Sequence, residues 1–317
     1  MTLLLRIKDK WVPEPVELPD YADDCEYWRQ GVSLHVLRQN ISDAQRAIVN
    51  QPEFSNADDI DWFRRNNGQD MVRCQSSVSS SEVTEQLLSN CLERDSSIGD
   101  ADFLIYCHRA IDLEFYSSPA CRAQKALQNQ KIIPFSISQC GTAAGMFGLE
   151  LAHTLAQQGQ KGVVLALNEL GIMPARRRIL RDVMVNDGAS VLHLCPCEEG
   201  VEIEHCDIRQ FAIEPTCATD LLPAYAELLA MAQTSIGLLD DILHILPRYS
   251  RAFEDAARIA LPDRPRYIFE NRDDGYSGVN FAYNALQEFF SSDTARAVLM
   301  QVSETGAGAF CVLRKTD

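Results

Sequence analysis

Basic charge is the first thing in short supply. The 317 residues carry 29 Lys and Arg against 45 Asp and Glu, a formal charge of −16. That balance argues against a general nucleic-acid surface or an anionic-membrane surface, since both need clustered cations to meet phosphate. Long apolar runs are missing too. No stretch approaches the roughly 18 residues of a spanning helix, and the opening MTLLLRIKDKWVPEP meets charge after three leucines, too early for the apolar region of a secretory signal. A soluble, cytoplasmic protein with no nucleic-acid or membrane partner is expected. Metal-ligand spacing is also lacking. Cysteine itself is plentiful at 11, but an odd, scattered count fits reduced thiols better than a disulfide framework. The cluster Cys195, Cys197, His205 and Cys206 lacks the two-residue gap that tetrahedral zinc pairs use. Edge-strand thiols beside a loop are expected there, and no metal.

What is present is material for a large core, with 46% hydrophobic and 23% charged residues, enough for one domain or two packed halves. The first hundred residues are mixed. TLLLRIK reads as a strand, SLHVLRQNISDAQRAIVNQ has helical spacing, and CQSSVSSSEVTEQLLSNCLERD reads as a serine-rich loop entering a helix capped by Ser80 or Ser81. From residue 102 the pattern alternates. DFLIYC, KIIPFSIS and KGVVLALNEL read as strands, with SSPACRAQKALQNQ and GTAAGMFGLELAHTLAQQG as helices between them. Alternation of this kind predicts an α/β sheet.

The chain then repeats itself. IIPFSISQCGTAAGMFGLELAHTL (132–155) resembles YIFENRDDGYSGVNFAYNALQEFF (267–290), each a strand, a polar turn holding glycine, and a helix. GVVLALNEL and RAVLMQVSE follow as strands, and NDGASVLHL and TGAGAFCVL as small-residue turns into a last strand. LLPAYAELLAMAQTSIG is read as the first helix of the second half and DDILHILP as its first strand. Two related α/β halves, 1–200 and 201–317, are expected to pack together.

These features resemble the thiolase superfamily, closest to its β-ketoacyl synthase III branch, over most of the chain from about residue 60. DADFLIYC, SSPACRAQKAL, SISQCGTAAGMFGLELA, LALNEL and VNDGASVLHL carry the likeness. The last holds an aspartate–glycine–alanine turn at Asp187, Gly188 and Ala189. The resemblance implies an α/β, thiolase-like duplicated α-β-α-β-α fold. It also implies a nucleophile at Cys140 and not at Cys121, which falls on an ordinary packing helix. A thiolate at a helix start gains from unpaired N–H groups and the helix dipole. A buried inert cysteine on a tightly packed helix would show the same Gly141, Ala143, Ala144, Gly145 and Gly148.

The branch draws a histidine and an asparagine from its second half, and here the pattern departs. Aligning the proline of ILPRYSRAFEDAARIALP puts Arg248 where histidine belongs, whereas aligning a histidine puts His244 inside the strand. Tyr276 follows Gly275 where asparagine belongs, with Asn271 and Asn280 displaced, and a tyrosine hydroxyl can donate only one hydrogen bond to an oxyanion. His108 ends its strand as a further candidate base or as a solvated strand end. The resemblance assigns the oxyanion hole to the N–H groups of Cys140 and Gly306.

The segment between NDGASVLHL and LLPAYAELL is only about thirty residues, shorter than the branch norm. Trp62, with Arg64 and Arg65, resembles the tryptophan stretch that packs on the adenine of coenzyme A. The patch Arg176, Arg177, Arg178 and Arg181 suits an acidic carrier protein, a diphosphate or a subunit interface.

Two functions are therefore expected as alternatives. One is a ketosynthase III-like acyltransferase that forms an acyl-enzyme on Cys140 from acyl-CoA or acyl carrier protein in specialised polyketide or fatty-acid-like metabolism. It would act as a homodimer or heterodimer, with coenzyme A or phosphopantetheine thioester as substrate and no permanently bound cofactor. The other is a catalytically incomplete partner subunit that supports a related synthase.

Overall fold

The computed structural model describes residues 3–13, 15–17, 57–67, 71–73, 79–109, 118–158, 162–170, 178–197, 200–237, 242–261, 266–270 and 276–316. The helical run expected around residues 33–51 lies outside them, as do Asn271, Arg176 and Arg177.

Ten strands carry the architecture: β1 (Leu3–Trp11), β2 (Phe103–His108), β3 (Ile133–Ile137), β4 (Val163–Glu169), β5 (Gly188–Pro196), β6 (Val201–Gln210), β7 (Leu243–Leu246), β8 (Arg266–Phe269), β9 (Arg296–Val302) and β10 (Ala307–Lys315). Their spatial order is β8-β7-β9-β10-β6-β1-β5-β4-β2-β3. The first five strands are ordered 3-2-4-5-1 and the second five 8-7-9-10-6, the same topology advanced by five. Pairings agree as well. β2 runs parallel to β3 and β4, as β7 does to β8 and β9, and the remaining neighbours in each half are antiparallel. The halves meet edge to edge where β1 pairs β6 at Leu5 and Val201.

The second half therefore opens on β6, in place of the strand around DDILHILP expected from the sequence. The sequence VEIEHCDIRQ conceals β6, because only Val201 and Ile203 of its ten residues are buried and its outward positions are charged or polar. Within β6, the thiol of Cys206 lies 2.6 Å from that of Cys311 on β10. Cys195 and Cys197 sit together at the end of β5. Among the described residues, no cluster of His, Cys, Asp or Glu is placed to hold a metal, and no helix is long and apolar enough to cross a membrane.

Helices fill three layers around the two sheets. Outside the first sheet lie α2 (Ser80–Arg94) and α3 (Pro119–Ala126), packed by Val83, Leu87, Leu88 and Ala123 on Leu104, Tyr106, Val164 and Val191. Between the sheets lie α4 (Ala144–Gln157) and α7 (Phe281–Ser291), and outside the second lie α5 (Leu222–Ile236) and α6 (Arg251–Ala260). The result is the expected duplicated α-β-α-β-α stack. α1 (Ala57–Asn67) lies against α6 at the side. Ser79, one residue before the expected cap, starts α2. Its hydroxyl accepts from the Glu82 N–H, and the Glu82 carboxylate accepts from its own N–H. A glutamate three residues past the cap selects Ser79 over its neighbours.

The middle layer is the tightest contact. A Cβ on Gly145 would lie 2.2 Å from the carbonyl oxygen of Val279, and one on Gly148 would lie 2.4 Å from the Cys107 sulfur. The small-residue helix is thus the price of bringing α4 onto the other half's backbone. Gly145→Ala is expected to lower stability by about 2–3 kcal/mol, seen as a reduced urea midpoint at unchanged slope. A midpoint equal to that of the unaltered protein would contradict the close approach.

Candidate functional site

Both middle-layer helices start in the same way. A single turn of 3-10 helix, Gly141–Ala143 before α4 and Gly278–Asn280 before α7, opens on a glycine in the left-handed region, with φ +56 at Gly141 and +58 at Gly278. Each glycine leaves room for a carboxylate from the opposite half. Glu304, just past β9, accepts from the Thr142 N–H at 3.2 Å and the Thr142 hydroxyl at 2.9 Å. Glu169, the last residue of β4, accepts from the Val279 N–H at 3.1 Å. A Cβ on Gly141 would lie 2.7 Å from Glu304, and one on Gly278 would lie 2.4 Å from Glu169. Gln301 reaches both turns, donating to the carbonyls of Thr142 and Gly278 and to the Tyr276 hydroxyl, each at 3.0 Å. A carboxylate at such a position satisfies N–H groups that would otherwise be orphaned and complements the helix dipole.

Arg109 balances these acids. Its Nε lies 2.7 Å from Glu169. Burial works against the Arg109 charge, but Glu169 first and Glu304 second outweigh it and hold the guanidinium ionised. Burial likewise pushes the Glu169 carboxyl up, opposed by Arg109 and the Val279 N–H. Neither glutamate nor Arg109 stood out in the sequence. The available signal was the repeat itself, whose matched segments LALNEL and MQVSE each carry a glutamate at or next to their end.

Cys140 stands immediately before the first turn as its N-terminal flanking residue, between the left-handed Gln139 at φ +65 and Gly141. It is half-buried and packs on the middle-layer core. Burial pushes its thiol up, opposite to the activation expected of a helix start. Among the described residues its sulfur has no hydrogen-bond partner, so nothing there offsets desolvation.

Of the second-half candidates, Tyr276 reaches this helix start and His244 does not. His244 follows the alternation of β7. Leu243 and Ile245 face the middle layer, while Ile242 and Leu246 face the outer layer of α5 and α6, which puts His244 on the outer face, across the sheet from Cys140. It is fully buried, burial drives its pKa down to about 3, and its ring packs on Tyr267. A catalytic base there is corrected to a core residue. Arg248 spends its N–H on Glu270 and its guanidinium on Glu254, 3.1 Å away. Tyr276 is fully buried against Tyr249, with its hydroxyl on Gln301 and beside Thr142; burial holds the phenol well above its ordinary range. The structure thus brings Tyr276 to the first helix start, next to Thr142. Gly306, at φ +78, donates its N–H to the Ser303 carbonyl at 3.0 Å within a tight turn. That N–H is committed to the turn, which corrects its assignment to an oxyanion hole. His108 shares the outer face of β2 with Tyr106 and bonds Ser136 at 2.9 Å.

Two surface candidates do come together. The Arg181 guanidinium lies over the Trp62 ring, 3.9 Å from its centroid, and Arg178 folds back onto the Arg181 carbonyl and over Phe63. Arg65 bonds the Asp61 carbonyl on its own helix. The side chain of Arg64 is outside the described residues.

A second polar centre lies behind Tyr276. A cavity of about 310 Å³, its open mouth included, is lined by residues including Trp11, Asp187, Ser277, Asn280 and Asn284. Asn280 ties the halves there, donating to the Gly188 carbonyl and accepting from Ser190. Next to it Glu270 is fully buried and accepts from Ser277, Arg248 and Asn284.

The arrangement of two duplicated halves around paired buried helices defines the class. It is the thiolase-type fold of the β-ketoacyl synthases III. The structure is similar over 98% of its length to 3-oxoacyl-[acyl-carrier-protein] synthase III from Aquifex aeolicus, at 13% identity, TM-score 0.71 and 99% of that chain covered. It is similar over 100% of its length to the corresponding synthase of Pseudomonas aeruginosa, at 14% identity, TM-score 0.70 and 99% coverage. OleA of Xanthomonas campestris aligns over 99% of both chains at 13% identity and TM-score 0.67. No protein-family model and no curated protein sequence matches the chain. At these identities the likeness establishes the fold expected from the sequence.

Burial raises the Glu270 carboxyl from an ordinary 4.5 to about 7, against its hydrogen bonds. A raised acid keeps its proton in the folded state where the unfolded chain has lost it, so stability is expected to fall as pH rises from about 4.5 to 7 and then level off, by on the order of 3 kcal/mol. In Glu270→Gln that component disappears. Parallel urea midpoints for the variant and the unaltered protein across pH 4.5–8 would rule it out.

Proposed function

We propose that this chain is a subunit of a ketosynthase III-type acyl-transfer assembly, and that it serves there as the catalytically incomplete partner of a related synthase. One observation carries this reading. The positions that the family resemblance assigns to a histidine and an asparagine are held by Arg248 and Tyr276, and both are committed to buried structural partners. Decarboxylative condensation needs groups that hold a thioester carbonyl and stabilise an enolate. An arginine paired to Glu254 and a phenol locked on Gln301 supply neither without dismantling their own surroundings.

A second reading keeps acyl transfer within the chain. It is favoured by Cys140, whose half-buried thiol stands before the helix start, and by the Trp62–Arg181 stack, a geometry that a flat base can enter by parting ring and guanidinium. Under this reading Cys140 attacks an acyl-CoA or acyl-carrier thioester, the thiol of the carrier leaves, and the acyl group passes to a second nucleophile. Both readings keep a coenzyme A or phosphopantetheine thioester within the assembly, in specialised polyketide or fatty-acid-like metabolism, and both place the protein in the cytoplasm.

Intact-mass measurement after incubation with acyl-CoA from acetyl to long-chain separates them. The partner reading expects no adduct on the isolated chain and a stable heteromer on co-expression with a synthase-fold chain encoded beside it. An acyl adduct lost in Cys140→Ala would overturn it in favour of the second reading. The surface stack gives an independent check. If coenzyme A docks on Trp62, Trp62→Ala should weaken its binding by about 1–3 kcal/mol, roughly 5- to 150-fold, the usual worth of stacking a base on an aromatic ring. Equal calorimetric affinities for the two proteins would remove Trp62 from the docking site.

A further inference from the structure

The two helix starts are twins in backbone but not in how firmly they are filled. Glu169 is 1% exposed and ion-paired directly to Arg109. Glu304 is partly exposed and reaches its cradle from a tight turn at Ser303–Gly306; among the described residues it has no direct ion pair. The Arg109 guanidinium is nevertheless not fully used. Its Nη2 is buried with no hydrogen-bond partner, and after Glu169 the acid that acts on it most is Glu304. A buried guanidinium nitrogen without an acceptor is costly. Glu304, held at the first helix start, is thus the second anion within reach of its charge.

We infer that Gly141, Thr142 and Arg109 form a carboxylate-binding site, which the protein fills with its own Glu304 and which a small carboxylate can occupy when Glu304 leaves. The inference rests on the reading that this chain's own acyl-transfer centre is closed, and it names what closes it. The Thr142 N–H and hydroxyl supply two donors converging on one oxygen. The left-handed Gly141 removes the Cβ that would collide with the carboxylate. Arg109 supplies the charge. The same design, locked, holds Glu169 at the other start. No covalent step is involved. One carboxylate exchanges for another on the same donors.

Chemical rescue tests this in the full chain. Glu304→Ala is expected to melt several degrees below the unaltered protein, and sodium formate should restore the midpoint saturably, as mass action on a vacated site requires. Sodium chloride at equal ionic strength should not. Glu304→Gln, whose amide oxygen still accepts from Thr142, should show no response to formate beyond the chloride control. If Glu304→Ala does not fold in buffer alone, formate present during refolding should recover it where chloride fails. An unchanged midpoint in Glu304→Ala, an equal formate response in all three proteins, or recovery by neither salt would overturn the inference. Acylation of Cys140 in the unaltered protein is read by mass on separate samples, so failure of the functional reading and failure of this one are distinguishable.

Discussion

The close approach of two helix starts inside the protein is the constraint on which the rest of the structure depends. Each start presents N–H groups away from bulk water, and an orphaned buried donor costs about 1–3 kcal/mol. The solution is reciprocal. Each half sends a glutamate from the end of its central strand, Glu304 or Glu169, into the start of the other half's helix. The carboxylates need room, hence Gly141 and Gly278 in the left-handed region. They also need countercharge, since removing one partner of a buried ion pair strands the other at a cost of several kcal/mol, and Arg109 provides it. Gln301 and Asn280 complete the seam by bonding across the halves. Gly145 is then dictated by how close α4 comes to Val279 once the seam has formed.

This seam also sets the chemistry. Under the family resemblance, catalysis at the first helix start would need free donors, a reactive thiol and helpers from the second half. Here the donors of Thr142 are taken, burial pushes the Cys140 thiol up, and the second-half positions are spent on packing. Each substitution makes sense through the others. A buried tyrosine at 276 brings a hydroxyl that must be satisfied, and Gln301 satisfies it from the residue that also ties the two turns. An arginine at 248 needs an acid, and α6 supplies Glu254. The group of residues is coherent as a structural core.

Most of the fold was legible in the sequence because its strands are buried and its helices periodic. DFLIYC and VVLALNE lie between neighbours on both sides and read as continuous apolar runs. β6 was not legible, because its outward residues mask the alternation, and the N-cap was displaced by one residue because Glu82 decides among the three consecutive serines at 79–81. The site was harder. Periodicity groups His244 with Ile242 and Leu246, but which face of β7 meets the middle helices is a tertiary fact, and the sequence alone does not contain it. Trp62 and Arg181 each stood out and are far apart in the chain; only folding makes them a pair. The two glutamates fall near the ends of matched segments in the repeat, yet a strand running into glutamate reads as solvent exposure until the opposite half closes over it.

Duplication explains why the halves differ where they do. Two copies of one unit give two matched cradles, each filled by a carboxylate from the other half. A single arginine at the end of β2 breaks that symmetry, because one guanidinium can pair closely with only one of the two acids. It pairs with Glu169, the deeper carboxylate, where desolvation is most severe and the direct ion pair offsets most. Glu304 is left with neutral donors and longer-range attraction, on a turn nearer solvent. One interface therefore contains a fixed clasp and a lighter one, and the lighter one lies beside Cys140.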